Sequence, residues 1–298
     1  MESTNKIQNQ VIIVYLLVNP PTDMLKLSIE STLLTTDSTI IVGYLSERDL
    51  LNLPQNSRIS TLNLSPVAEE MGVPNYFADY QSYTTEDFFQ IVKLKWPLIE
   101  RILRENPSAD IVYTDVDVIW LNNPIPELLK MKNVFPDMSI AIQNNSFSPD
   151  NIGLCMGFVF FVNSKSTMKI VEMCESEHMA MYDHNPRVGD DAVITHLYIS
   201  SKLESQVKIL SQATFPTGNL VALAGRNRIF PGISNPPLYI FHANYVVGEK
   251  KKILLMFAAG SKKIRSKLPL RSRIFYHSKL IARKILVPLK SILFYFRA

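Results

Sequence analysis

Cysteine is scarce: Cys155 and Cys174 are the only two in 298 residues, and they form no CxxC pair. That excludes a disulfide framework and a cysteine-based metal site, and it fits a reducing compartment. Long apolar runs are missing too. The stretch "VIIVYLLV" (11–18) follows a polar start and ends at Asn19-Pro20-Pro21. It falls well short of the ~20 residues a membrane-spanning helix needs, and it reads as a first buried strand rather than a leader. With 19% charged and 47% hydrophobic residues, the composition excludes global disorder and allows a sizeable core. The third shortage is local: no acidic residue follows Glu249.

That last absence hides behind a net charge of +4. Fourteen of the 31 Lys/Arg lie beyond Glu249, which leaves 17 basic against all 27 acidic side chains in the rest of the chain. The body is acidic and the tail basic, a pattern suited to a surface, a membrane or a polyanion rather than a core.

Short β-rich runs alternate with helical patterns. Strands are predicted at 11–18, 38–45, 58–64, 111–114, 139–143, 157–162, 207–210 and 238–243. Helices are predicted at 22–35, 46–52, 85–105, 165–182, 190–203 and 250–258. Buried strands alternating with helices indicate an α/β fold with a mostly parallel, Rossmann-like sheet flanked by helices. One domain is expected over 1–260, followed by a basic amphipathic helical tail over 261–298. Such sheets keep their sites beyond the carboxyl ends of their strands.

The stretch "IVYTDVDVIWL" (111–121) places Asp115 and Asp117 at one of those ends. Ionised carboxylates are costly to bury unless paired or holding a metal. One could cap a turn while the other is solvated. A haloacid-dehalogenase-type phosphatase also places an Asp nucleophile and a second Asp after a strand. That pair, however, comes near the start of its fold, with Thr where this chain has Ile119, although "GDD" (189–191) imitates its late acidic motif. The third reading is a divalent cation that neutralises the diphosphate of a nucleotide sugar.

The segment "IFHANYVVGEKKKI" (240–253) favours the cation. His242 ends a strand and is a plausible ligand beside the carboxylates of Asp115 and Asp117, although such a histidine is often only structural. Gly248 lets backbone approach a phosphate, and Lys251 or Lys252 supplies positive charge. Asp190 and Asp191 after Gly189 either cap a helix or face a reacting group. Lys95 could reach a phosphate, but an exposed helix face is the simpler expectation. The Tyr-, Phe- and acid-rich region 65–88 reads as a loop or lid on the acceptor side.

Five blocks now occur in order: "KWPLIERILRENPSADIVYTDVDVIWLNNPIPEL" (95–128), "GFVFFVNS" (157–164), "GDDAVIT" (189–195), "FPTG" (215–218) and "HANYVVGEKKKI" (242–253). Together they resemble the nucleotide-diphospho-sugar transferase family, which includes plant cell-wall xylosyltransferases and arabinosyltransferases. The resemblance implies a GT-A fold, a UDP-sugar donor, a Mn²⁺ or Mg²⁺ ion and transfer with retention. It implies Asp117 as the principal metal ligand, Asp115 at the metal or the donor ribose, and His242 completing the set. Asp190 or Asp191 would lie beneath the reacting sugar; similar sequences often carry glutamine within this block.

In the tail, Ile274, Ile281, Ile285, Leu289, Ile292 and Phe296 recur at helical spacings, with Lys and Arg largely elsewhere and Pro288 dividing the run. This suits a helix lying on an anionic membrane through 262–298, the alternative being a helical hairpin packed on the domain with its lysines solvated. No nucleic-acid-binding module is recognisable, so nucleic acid is not an expected partner. The expected protein is a metal-dependent glycosyltransferase, cytoplasmic and peripheral at the inner face of the cell membrane. It would act on a glycan or lipid-linked glycan. The other readings are the phosphatase and a non-catalytic nucleotide-sugar-binding protein at the membrane.

Overall fold

The computed structural model describes residues 10–77, 80–81, 85–146, 152–200, 203–218, 237–244 and 248–280. Its centre is a seven-stranded sheet of β1 (Gln10–Leu17), β2 (Ile40–Tyr44), β3 (Ile59–Asn63), β4 (Ala109–Thr114), β6 (Ile140–Asn144), β7 (Leu154–Phe161) and β8 (Val207–Leu210). The spatial order is β3-β2-β1-β4-β7-β6-β8. Every pairing is parallel except those of β7, which runs antiparallel to both β4 and β6. The expected mostly parallel α/β sheet is present, with one reversed strand near its middle.

Alternation along β1 shows how the core divides. Ile12, Val14 and Leu16 pack on one face with Trp96, Ile99, Ile170 and Val193. Val11, Ile13, Tyr15 and Leu17 pack on the other with Leu25, Ile29, Trp120 and Leu128. A strand buried on both faces reads as an unbroken apolar run because each side of its pleat needs filling. The first face is covered by α3 (Glu86–Lys93), α4 (Lys95–Glu105), α6 (Lys165–His184) and α7 (Asp190–Ser200). The second is covered by α1 (Thr22–Thr35) and α5 (Ile125–Val134); α2 (Ser65–Glu70) is a short helix after β3.

The predicted helix over 85–105 is two helices that meet at Leu94. Pro97 has no N–H to return to the carbonyl of residue 93, so the ladder is interrupted just where α4 begins. The predicted helix over 46–52 is a single 3-10 turn, Glu47–Leu50, closed by a Ser46/Asp49 capping box.

A second sheet pairs β5 (Val118–Trp120) with β9 (Ile240–His242), antiparallel. The open edge of β5 is satisfied by hydroxyls on the buried face of α1. Ser28 Oγ donates to Val118 O at 2.7 Å, and Ser31 Oγ accepts from Trp120 N at 3.0 Å. Beneath lie α8 (Glu249–Ala259) and α9 (Lys262–Arg265). There Ile253, Phe257, Ile264, Leu268 and Tyr276 join Met24, Leu27 and Phe241 in a third core cluster. The beginning of the basic tail is thus packed on the domain: Tyr276 donates to Asp23 Oδ2 at 3.1 Å, and Lys267 pairs with Glu30 at 3.0 Å. Residues 270–280 are helical, and the tail positions from Ile281 onward lie outside the described residues.

Candidate active site

The chain turns from β1 outward to β2 and β3, then returns to place β4 on the opposite side of β1. This is a switch point, and the crevice beyond the carboxyl ends of β1 and β4 is where open sheets bind ligands. Asp115 and Asp117 lie there. Asp115 N still bonds Gly157 O of β7 at 2.8 Å, and Val118 N closes a turn onto Asp115 O at 3.1 Å. The two carboxylates therefore belong to the tight turn that carries the chain from the large sheet to the small one.

His242 joins them because β9 pairs with β5 in a register that sets Val118 opposite His242. One ligand atom from each of Asp115, Asp117 and His242 falls within a mutual distance of 4.8 Å. A cavity of about 880 Å³ opens above them, lined also by Tyr80, Lys95, Gly157, Asp190, Gly248 and Lys252.

Gln143 fixes the imidazole. Its Nε2 donates to the carbonyls of Phe215 at 2.9 Å and Pro216 at 3.5 Å, which leaves Oε1 facing His242 Nδ1 at 3.1 Å. An amide oxygen only accepts, so Nδ1 carries a proton. Nε2 then faces Asp117 Oδ1 at 3.1 Å. Two acceptors hold that separation only with positive charge between them, either a second proton on Nε2 or a cation. The pairing of β6 with β7 shifts register here: Ile142 faces Val159 and the next residue, Gln143, faces Cys155, so residues 156–158 of β7 have no partner on β6. Sequence reasoning missed Gln143, since nothing at its position signals a partner 99 residues away.

Lysines supply the other charges. Lys252 Nζ lies 2.6 Å from Asp117 Oδ2. Burial alone would raise the Asp117 carboxyl, but Lys252 and then His242 override it and hold Asp117 well below the ordinary carboxylate range. Tyr80, hydrogen-bonded to Lys252, is pushed up to about 12, chiefly by burial. Gly248, at φ +104°, precedes α8 and lines the cavity with Lys252, while Lys251 is exposed.

Lys95 departs most from expectation. It is 5% exposed and bridges Asp115 Oδ1 at 3.0 Å and Asp190 Oδ2 at 2.7 Å. Burial disfavours its charge, but Asp115 and Asp190 more than restore it, raising its pKa well above normal. Asp191 is turned differently. Its Oδ1 accepts from Met156 N at 2.6 Å, and burial followed by the Asp190 charge pushes its carboxyl up to about 7. Asn244 completes the rim, donating to Asn145 Oδ1 at 2.6 Å and accepting from Gly218 N at 2.7 Å.

Residues 66–256 match the family described as nucleotide-diphospho-sugar transferase. The chain belongs to that family. Among solved structures, its fold is similar to that of the galactosyltransferase LgtC in complex with donor and acceptor sugar analogs, at 13% identity. That likeness covers 86% of this chain and 100% of that one, with a TM-score of 0.52. It is also similar to the glycosyltransferase GlyE of Streptococcus pneumoniae TIGR4, at 13% identity, with 92% and 64% covered and a TM-score of 0.51. Mouse xyloside xylosyltransferase 1 matches at 14% identity over 80% and 98%, with a TM-score of 0.47. No curated protein matches by sequence. The architecture is the GT-A fold, and the phosphatase alternative gives way to a glycosyltransferase of the nucleotide-sugar family.

Proposed function

We propose that this transferase moves one sugar from a UDP-sugar to a glycan or lipid-linked glycan acceptor, with retention and with Mn²⁺ or Mg²⁺. The observation that carries the reading is the convergence of Asp115, Asp117 and His242 at the floor of the cavity, with Lys252 beside them. The donor set fits the ion: two hard carboxylates and one imidazole nitrogen, whose proton Gln143 holds on the far side of the ring, suit Mn²⁺ and tolerate Mg²⁺. When bound, the ion would offset charge on the diphosphate leaving group.

The chain's own residues do the rest. Lys252, Lys251 and the N–H groups opening α8 after Gly248 attract the diphosphate, as helix N-termini do. Asp115 also lies within reach of the donor ribose. Asp190, held at the cavity by Lys95, faces the reacting sugar and stabilises positive charge at the anomeric carbon; Asp191 orients the backbone of β7 behind it. The acceptor hydroxyl enters on the face the diphosphate leaves, so rate comes from positioning and electrostatics.

The test is a donor screen read as UDP release. Turnover of at least one UDP-sugar with Mn²⁺, falling to background with chelator, is the expected result. Binding without turnover across the screen would instead make the protein a nucleotide-sugar-binding module.

Among the described residues no helix is long and apolar enough to cross a membrane. Leu270 and Ile274 are 64% and 61% exposed on the helical stretch 270–280, and Arg271 and Lys279 on the same stretch are exposed too. With each surface-near cation adding about 1 kcal/mol, this exposed face fits an anionic lipid surface at the inner face of the cell membrane. Wild-type protein is expected to sediment with anionic vesicles and not with neutral ones. Leu270→Glu together with Ile274→Glu should abolish that binding without lowering Tm, because neither side chain is buried. Equal sedimentation of both proteins would sink the proposal.

A further inference from the structure

His178 is buried in the middle of α6, a helix that contributes no side chain to the cavity lining. Both of its ring nitrogens are engaged. Trp96 Nε1 donates to Nδ1 at 2.9 Å, and Nε2 lies 3.1 Å from Val188 O. An indole N–H only donates and a carbonyl only accepts, so the ring is neutral with its proton on Nε2. Trp96 adjoins Lys95 at the start of α4, and Val188 lies two residues before Asp190 at the start of α7. Lys95 and Asp190 meet at 2.7 Å. These links close into a loop that runs from Lys95 through Trp96, His178, Val188 and Gly189 to Asp190 and back.

We propose that His178 is a positioning residue for the transfer reaction, holding Lys95 and Asp190 together on the sugar side of the cavity by bracing the two segments that carry them. The proposal rests on the glycosyltransfer reading of that cavity. Without the brace, among the described residues the start of α4 and the 188–190 segment are tied by the ion pair itself and by packing. Misplacement of reacting groups by about 1 Å costs on the order of 10²-fold in rate. On the diphosphate side, Asp117, His242 and Lys252 are held by β5, β9 and α8, and the loop meets that side only where Lys95 Nζ lies 3.0 Å from Asp115 Oδ1.

The brace is sensitive to acid. A proton on Nδ1 would set donor against donor at Trp96 and break the loop. The groups facing the ring are Asp190, Lys93 and Lys95; burial outweighs the opposing Asp190 charge and Val188 carbonyl and, with smaller help from the two lysines, holds His178 below the ordinary imidazole value. The sign follows: a histidine whose folded value is depressed leaves stability intact above about 6.5, its unfolded value, and withdraws it as pH falls below that.

The test combines kinetics and NMR on the full chain. In His178→Phe, kcat is expected to fall at least 10-fold while donor KM and UDP affinity in the presence of Mn²⁺ stay within about twofold, because Asp117, His242 and Lys252 keep their own supports and only Asp115 touches the loosened pair. His178→Gln, which keeps a donor toward Val188 O, should recover part of the loss. In Trp96→Phe, ¹⁵N–¹H spectra should show the His178 titration moving up toward its ordinary value, with the acid limb of kcat moving with it. In the wild type the ring should appear as the Nε2–H tautomer. A wild type without turnover would overturn the glycosyltransfer reading and the catalytic role, while the spectra would still decide whether the brace exists. A folded His178→Phe with unchanged kcat, equal loss of kcat and UDP affinity, or an Nδ1–H tautomer would overturn the proposal itself. If His178→Phe does not fold, the Trp96→Phe titration and the His178→Gln kinetics decide between these outcomes.

Discussion

Replacing Asp117 with alanine is expected to lower UDP-sugar turnover by about 10³-fold or more, the equivalent of ~4 kcal/mol of charge stabilisation at the leaving group. The same substitution should also destabilise the fold. Asp117 is the only ion-pair partner of Lys252 among the described residues, and the two side chains are 7% and 19% exposed. Removing one member of a buried pair leaves the other charged and desolvated, at a cost of about 3–5 kcal/mol. His242 Nε2 loses its partner at the same time. The two effects can be separated by adding Lys252→Met. The double variant should regain most of the lost Tm while turnover stays at background, because an apolar side chain tolerates the site but supplies no ligand. Urea unfolding and UDP release, each with and without Mn²⁺, give the measurement. Turnover near wild type in Asp117→Ala, still requiring metal, would remove Asp117 from the centre of the site.

Much of this arrangement is legible in the sequence, for reasons that also mark where legibility stops. "VIIVYLLV" reads as a buried strand because apolar side chains must fill both sides of its pleat. That reasoning is blind to direction, so nothing in "GFVFFV" announces that β7 runs antiparallel between β4 and β6. Asp115 and Asp117 stand out because two carboxylates closing an apolar run need an explanation, and His242 stands out because a lysine-rich helix start follows it. Lys95 does not. On a helix of alternating apolar and charged residues, a lysine reads as solvated, and its burial depends on partners that arrive from the β4 turn and the start of α7.

Gln143 and His178 lie deeper still. Each acts through hydrogen bonds to backbone carbonyls and to one side chain far along the chain, and residue type alone signals neither. The sequence therefore names the groups proposed to meet the ligand more readily than those that hold them in place. The first are chemically conspicuous wherever they fall, whereas the second matter only by their position in the fold.

Gly157 belongs with the holding groups, and it gives the other large effect. A Cβ at this position would fall 2.0 Å from His242 Cε1 and 2.6 Å from its Nε2. Neither side can yield cheaply. Gly157 is an interior residue of β7, and its own carbonyl accepts from Asp115 N at 2.8 Å. The imidazole is pinned by Gln143 through Nδ1, and its backbone is held by the pairing with Val118 and by His242 N bonding Pro216 O at 3.2 Å. Gly157→Ala must therefore displace the ring from Asp115 and Asp117, and so from the proposed cation site. The expected cost is about 1–3 kcal/mol of overpacking together with a fall in turnover on the order of 10²-fold. A Mn²⁺ titration followed by electron paramagnetic resonance should show weaker binding in the same variant. Gly153→Ala is the control: its Cβ would meet nothing closer than Ser146 N at 3.7 Å, an ordinary contact, so Mn²⁺ affinity should be unchanged. If Gly157→Ala binds Mn²⁺ as tightly as wild type and melts at the same temperature, His242 does not ligate the ion from the position described, and the donor set would reduce to the two aspartates.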